Sequence, residues 1–335
     1  MKAFAFARPK SFAEAGALLA GGRYSLPVIK AGGMDIVDHL KEGLFAPDLL
    51  IDVKRLRSNG AAESVRVSNG EIAIEATATL AEIAASDAVR QAAPVLAQCV
   101  EGAATPQVRN VASAAGNLLQ RPRCWYYRHS QFHCLKKGGD RCYAVEGENK
   151  FHAIFGGGPC HIVHPSNLAL GLMVTDGVVH VIGGEREQVS IADLFHLPNN
   201  GVTSEHNLQA TEVVTQITAH ASPHSGFYAV KEKQSFDWPL AAAAAALDLD
   251  GATIRSAKVC AGAVAPVPWR LSNVEEALAG VNLDDDAALR AACAKAAEGA
   301  RPMSQNAYKT KLLPVAVRRA VLIAAGRGEK EWTGS

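Results

Sequence analysis

The chain has 335 residues, 48% hydrophobic and 20% charged, and 34 basic against 33 acidic side chains leave a formal charge of +1. This is the composition of a folded protein of two or three domains. It excludes disorder and collagen-like repeats, and gives no bulk argument for binding nucleic acid or an anionic membrane. Seven cysteines are unevenly placed: Cys124, Cys134, Cys142 and Cys160 share one stretch, whereas Cys99, Cys260 and Cys293 are scattered. In a long chain that pattern points to metal before a disulfide framework. Met1–Lys10 has no sustained apolar core, and no run of about 18 apolar residues occurs. The expectation is no membrane span and a cytoplasmic protein, or a periplasmic one exported with a signal-bearing partner.

Ser11 caps a helical pattern reaching Leu19, and Leu26–Ile29 reads as a strand running into Lys30-Ala31-Gly32-Gly33-Met34-Asp35 and a helix Ile36–Lys41. Leu49–Val53 is a second buried strand, so 1–57 forms a small α/β unit. Val65–Ile74 alternates as a strand, and Thr79–Ser86 and Ala88–Cys99 read as helices. Pro106 bars Ala104–Asn110 from a helix interior. From Arg121 to Cys160 periodicity disappears; about 40 such residues inside a compact domain need another organiser, such as a metal centre. Ala169–Val174 and Val178–Ile182 read as strands about the Thr175-Asp176-Gly177 turn, and Ile191–Phe195 as a short helix. A texture change near Ala221–Gly226 marks a boundary. Beyond it lie the strand Ile254–Val264, the helices Asn273–Ala279 and Asp286–Ala297, and the final helix Lys311–Ala325. The alanines Ala241–Ala246 are too few to span a membrane.

Two segments carry binding chemistry. Val28 to Asp35 is strand, diglycine turn and helix start, which lets backbone N–H groups approach a phosphate. It matches neither G-x-G-x-x-G nor the P-loop pattern, so alone it is also an ordinary turn. Thr105-Pro106-Gln107-Val108-Arg109-Asn110-Val111-Ala112-Ser113-Ala114-Ala115-Gly116-Asn117 is rich in small and amide residues, against which a flat ligand can lie.

Together these segments resemble the flavin subunit of the xanthine dehydrogenase and molybdenum hydroxylase family. Ala31–Asp35 fits A-G-G-T-D with Met34 departing, and Thr105–Asn117 fits S-P-Q-I-R-N-x-A-T-x-G-G-N with Ala115 for a glycine. His164-Pro165-Ser166-Asn167-Leu168-Ala169 fits H-P-S-D-L-A, and Leu49–Val53 fits the L-I-D strand. Gly262–Arg270 and Tyr308-Lys309 fit the C-terminal domain. The resemblance implies an α+β chain with the FAD-binding fold of vanillyl-alcohol oxidase and p-cresol methylhydroxylase. Its two subdomains are 1–57 and 58–221, followed by a C-terminal α+β domain, 222–335. It implies that Ile29, Lys30, Ala31, Gly32, Gly33, Met34, Asp35 and Ile36 wrap the FAD pyrophosphate. Thr105, Asn110, Ser113, Gly116 and Asn117 belong to the flavin site. Asn167 replaces an Asp near the cofactor, keeping a hydrogen-bonding oxygen without the charge. The family's lysine before S-F-D falls on Ala229, which leaves Lys231 as the nearest cation.

The four clustered cysteines are separated by nine, seven and seventeen residues. That spacing alone leaves an iron–sulfur cluster, structural zinc, buried thiols and disulfides all open. The stretch 119–163 interrupts the family's motifs between Asn117 and His164. It is similar to the insert of the aldehyde oxidoreductase and 4-hydroxybenzoyl-CoA reductase types, which carry a [4Fe–4S] cluster. By that resemblance Cys124, Cys134, Cys142 and Cys160 are its ligands. The basic residues Arg121, Arg123, Arg128, Lys136, Lys137 and Arg141 would raise the cluster's potential, or else form a solvated or docking face. His129, His133, His152, His161 and His164 read as structural or surface residues.

The implied function is electron transfer. A large molybdenum-cofactor subunit oxidises the substrate, a small [2Fe–2S] subunit relays electrons, and FAD here passes them to an external acceptor. No catalytic acid, base or nucleophile is implied in this chain. The competing readings are a stand-alone flavin oxidase of the same fold and a zinc-stabilised binding module.

Overall fold

The computed structural model describes residues 2–327; the expected C-terminal domain end at 335 lies outside them. The first sheet is parallel, with Leu49–Asp52 between Ala5–Ala7 and Pro27–Lys30. Parallel strands need crossovers, supplied here by the helices Phe12–Ala20 and Ile36–Lys41. Ser11 caps the first by accepting the Glu14 amide at 3.1 Å. The register pairs Lys30 with Asp52, and their side chains meet at 3.2 Å beside the glycine turn.

The second sheet is antiparallel, in the order Val65–Ser68, Glu71–Glu75, Val213–His220, Val178–Ile182, Gln188–Ser190. The expected single strand Val65–Ile74 is a hairpin. Asn69 and Gly70 both have positive φ (51° and 78°), the geometry of a tight two-residue turn. Thr79 and Glu82 close a capping box on the helix Leu80–Ala85. The expected helix Ala88–Cys99 is two, Asp87–Ala92 and Pro94–Glu101, because Pro94 starts a new one. Asn167–Val174 is a helix rather than the expected strand. Seven of its residues are buried, so its apolar run has no period to separate helix from strand. Ser166, which caps it through the Ala169 amide at 3.1 Å, decides the matter.

The third sheet is an antiparallel meander of Ser225–Val230, Ala241–Asp250, Thr253–Gly262 and Trp269–Arg270, covered by the helix Lys309–Ala324. The alanine run is its central strand. Ala242, Ala244 and Ala246 face one core and Ala241, Ala243 and Ala245 another, as a period of two requires. Alanine favours helix by local propensity. Here the small side chains let two apolar layers close on one strand. No helix of the described residues is long and apolar enough to cross a membrane.

Residues 119–163 hold only the short helix Trp125–Arg128 and the turn Leu135–Lys137. Side chains and backbone tie them down. Asn306 donates to the carbonyls of His152 and Ala153, and Lys309 to those of Phe151 and Ala263. The Val264 carbonyl accepts the amides of Ile154 and Phe155.

Candidate functional site

A cavity of about 610 Å³ opens where the glycine turn, the segment 102–123, Asn167 and the loop 236–239 meet. Its size suits a small-molecule ligand. Ile29 to Ile36, Ser113, Gly116, Asn117 and Asn167 all line it. The amides of Gly32, Gly33, Met34, Asp35 and Ile36 donate no hydrogen bond to another described residue. The turn thus presents a run of unpaired donors. Gly33 has φ +83°, and a Cβ on Gly32 would sit 2.0 Å from the Val111 carbonyl oxygen. The two motif segments therefore touch, backbone to backbone, at Gly32. The helix after the turn has only six residues and no side-chain cap at Asp35, so the turn's amides carry the donor function.

The second segment is held by strand-like bonds: Ala114 donates to Ala78 and Ala115 to Ala76. Ser113 accepts the Gly116 amide at 3.1 Å, and the Ser166 hydroxyl donates to Asn117 Oδ1 at 2.6 Å. Three of the expected residues do not line the cavity. Thr105 caps the helix Pro106–Arg109, and Asn110 is exposed. Lys231 Nζ donates to the Gly102 carbonyl at 2.7 Å, and burial holds its pKa below the usual lysine value.

Gly32→Ala is expected to force the turn off Val111 at a cost of about 1–3 kcal/mol. Measured flavin content per chain should fall. Undiminished flavin would show that the turn tolerates separation from Val111.

Asp35 joins this cavity to the cysteine stretch. Its carboxylate accepts Arg128 Nη2 at 2.6 Å and the Arg121 amide at 2.8 Å, with Arg123 Nη2 at 3.3 Å. Burial alone would raise its pKa, but these donors and charges outweigh it and hold the carboxyl below the usual range. Arg128 also pairs with Asp38. Tyr127 meets His39 Nε2 at 3.2 Å, and His39 Nδ1 meets the Asp35 carbonyl at 2.9 Å. Burial lowers the His39 pKa, so a neutral ring donates from Nδ1 and accepts from the tyrosine.

Cys124, Cys134, Cys142 and Cys160 line a second, smaller space together with Tyr126, Tyr127, Lys136 and His152. About 10 Å³ is free there, room for a single water. Among the described residues no group of three or more His, Cys, Asp or Glu is arranged to hold a metal ion. All seven cysteines are free thiols. Cys160 donates to Cys142, which holds the Cys142 pKa below the usual thiol value and pushes that of Cys160 up. Burial raises Cys124 to about 11, and its Sγ lies 3.3 Å from His152 Nε2. Cys99, Cys260 and Cys293 are buried elsewhere. His164 is buried edge-on against Phe195, and its ring nitrogens have no hydrogen-bond partner among the described residues.

Sequence reasoning missed the wall between the two spaces. Tyr127 lines both. Arg121 lies over its ring at 5.0 Å and pairs with Glu205, 2.8 Å away. Glu205 also accepts Lys136 Nζ at 2.6 Å, and Lys136 is only 4% exposed. So Arg121, Arg128 and Lys136 turn inward onto acids, while Arg141 stays on the surface. The arginines within Arg121–Arg128, just after Gly116-Asn117, were the available signal. Glu205 and the cavity residues His206, Glu212 and Phe236–Pro239 had none.

A turn of free amides facing a small-residue segment across one cavity has the chemistry to hold a dinucleotide-type cofactor. The family described as the FAD binding domain in molybdopterin dehydrogenase matches residues 2–219, and the CO dehydrogenase flavoprotein C-terminal domain matches 226–324. The chain is 32% identical over 286 residues to the aldehyde oxidoreductase FAD-binding subunit PaoB of Escherichia coli, covering 83% of this chain and 86% of that one. It is 25% identical to the carbon monoxide dehydrogenase medium chain of Afipia carboxidovorans, covering 97% and 98%. A crystal structure of Cu,Mo-CO dehydrogenase shares the fold, with a TM-score of 0.74 at 23% identity, over 98% of this chain and 99% of that one. The chain belongs to the family of FAD-binding medium subunits of molybdenum hydroxylases, which are oxidoreductase subunits.

Proposed function

We propose that this chain is the FAD and [4Fe–4S] electron-transfer subunit of a heteromeric molybdenum-containing hydroxylase that oxidises aldehydes or aromatic or N-heterocyclic compounds. In this reading a large subunit holds the molybdenum cofactor and a small one holds [2Fe–2S]. Electrons reach an external acceptor by way of the flavin. The observation that carries the reading is the shared wall: Tyr127 lines both the flavin cavity and the space ringed by four cysteines. The names of the relatives support it, among them an aldehyde oxidoreductase, carbon monoxide dehydrogenases and a nicotinate dehydrogenase FAD-subunit.

Flavin, when bound, exchanges electrons singly with iron–sulfur partners and in pairs with an acceptor. The residues present fit it. The free amides of 32–36 suit a diphosphate, and Ser113, Gly116, Asn117 and Asn167 offer a small, polar wall. Cys124, Cys134, Cys142 and Cys160 would hold the cluster. Four irons take one thiolate each, so the ligands surround a common space instead of one point. Loading would displace the Cys160–Cys142 hydrogen bond and release thiol protons. Asp35, Arg128 and His39 position the wall by fixing Tyr127 against the glycine turn.

The test is the visible spectrum and metal content of the full chain. Flavin bands with a broad shoulder bleached by dithionite are expected, with about four irons and four sulfides per chain. Flavin without iron, or equimolar zinc, would remove the cluster from the reading. Substrate turnover by the chain alone, free of molybdenum, would favour the stand-alone oxidase.

A further inference from the structure

We infer that Arg123, contributed by the cysteine stretch, is a ligand of the cofactor's diphosphate, so that this stretch completes the FAD site. The inference rests on the FAD reading of the larger cavity but not on the cluster.

Arg123 lines the flavin cavity, and the cysteine Cys124 that follows it lines the neighbouring space. The three arginines around Asp35 are not equivalent. Arg128 is spent: it meets the Pro122 carbonyl at 2.9 Å, Asp35 at 2.6 Å, the Arg121 carbonyl at 3.1 Å, and Asp38. Arg121 has Glu205 at 2.8 Å, the Thr203 carbonyl at 2.8 Å and the Tyr127 ring. Arg123 reaches Gln120 Oε1 at 3.2 Å and Asp35 at 3.3 Å through one nitrogen. Among the described residues neither its buried Nε nor that of Arg121 makes a hydrogen bond, but Arg121 Nε has the Glu205 carboxylate at 2.8 Å and Arg123 Nε has no such neighbour. Its guanidinium stacks over Trp238 at 5.3 Å, another wall of the cavity, which holds the fork in place.

Arg128 and Arg123 together balance Asp35 and Asp38, but Arg123 reaches Asp35 through one nitrogen only, so most of its fork is left to meet a further acceptor. A buried donor left unpaired is costly, and a guanidinium fork matches phosphate oxygens. The unpaired amides of Gly32 to Ile36 line the same cavity. An anion between them would satisfy both sets of donors.

The full-length chain, freed of flavin, is titrated with FAD, ADP and riboflavin. The last shares the ring system but carries no phosphate. For Arg123→Ala, ADP and FAD affinity should fall about tenfold or more, as loss of a charge-assisted contact implies, with riboflavin changed less than about twofold. Arg123→Lys should keep part of the ADP affinity. Arg123→Gln, which preserves bulk without charge, should lose it, and serves where the alanine variant does not fold. Equal loss for riboflavin and ADP would overturn the inference in favour of a packing role, as would unchanged ADP binding. A wild-type chain that binds neither FAD nor ADP would overturn both this inference and the FAD reading. A wild-type chain that binds them while the variants bind equally well would overturn this inference alone.

Discussion

Glu205→Gln is expected to destabilise the protein by about 3–5 kcal/mol, read as a lower urea midpoint at unchanged slope. Lys136 and Glu205 are 4% and 8% exposed, and Glu205 also neutralises Arg121. Removing the carboxylate leaves two cations against a neutral amide in a dry place. Lys136 keeps only the Val202 carbonyl, 2.6 Å away. The double variant Glu205→Gln with Lys136→Met should recover part of the loss, because one buried charge is then replaced by an apolar chain of similar length. Limited proteolysis locates the effect: cleavage within 121–163 should accelerate in the single variant before the three sheets open. A single variant as stable as wild type would mean that water already reaches this pair.

Lys136 was visible in the sequence only as one of a basic run and Glu205 not at all; their pairing was not legible, and the reason is separation. Lys136 and Glu205 lie 69 positions apart, in stretches with no periodicity to signal that they face each other. What could be read was local or motif-bound. The glycine turn, Ser113 to Asn117 and Asn167 meet around one cavity because each lies at a strand end or helix cap, where backbone geometry is set by near neighbours. The run 119–163 was legible as an interruption because recognisable segments flank it. Errors came where tertiary packing overrides local pattern. The expected strand Ala169–Val174 is buried on all sides within a helix, and Ala241–Ala246, for which the sequence signals no element, is a strand because two cores press on it. Lys231 failed as a lining residue for a similar reason, since the Gly102 carbonyl captures its ammonium first.

The stability of the protein should rise between about pH 7 and pH 10 through Lys309. Its side chain is fully buried in the last helix, and Nζ donates to the carbonyls of Phe151, 3.1 Å away, and Ala263, 2.5 Å away. No carboxylate of the described residues offsets the loss of hydration, and burial pushes the pKa down to about 7 from the ordinary 10.5. The sign follows from proton counting. Above about pH 7 the folded amine is neutral while the unfolded one stays charged until about 10.5. The unfolded state therefore binds more protons across this window, and raising the pH favours folding. Below about 7 both states are protonated, and the penalty from this group is constant. The slope is roughly 1.4 kcal/mol per pH unit inside the window. Urea midpoints of wild type and Lys309→Met, compared at pH 7, 8 and 9, isolate it, because other titrating groups contribute equally to both. The wild type should gain on the variant as pH rises. Parallel curves would place the ammonium in contact with water. A neutral Lys309 is also what the fold requires, since an amine can donate to both carbonyls without a counter-ion. Phe151 belongs to the cysteine stretch and Ala263 to the third sheet, so the proton on Lys309 bears on how firmly that stretch is fastened. Cleavage within 121–163 should accordingly be slower at pH 9 than at pH 7 in the wild type and unchanged in Lys309→Met.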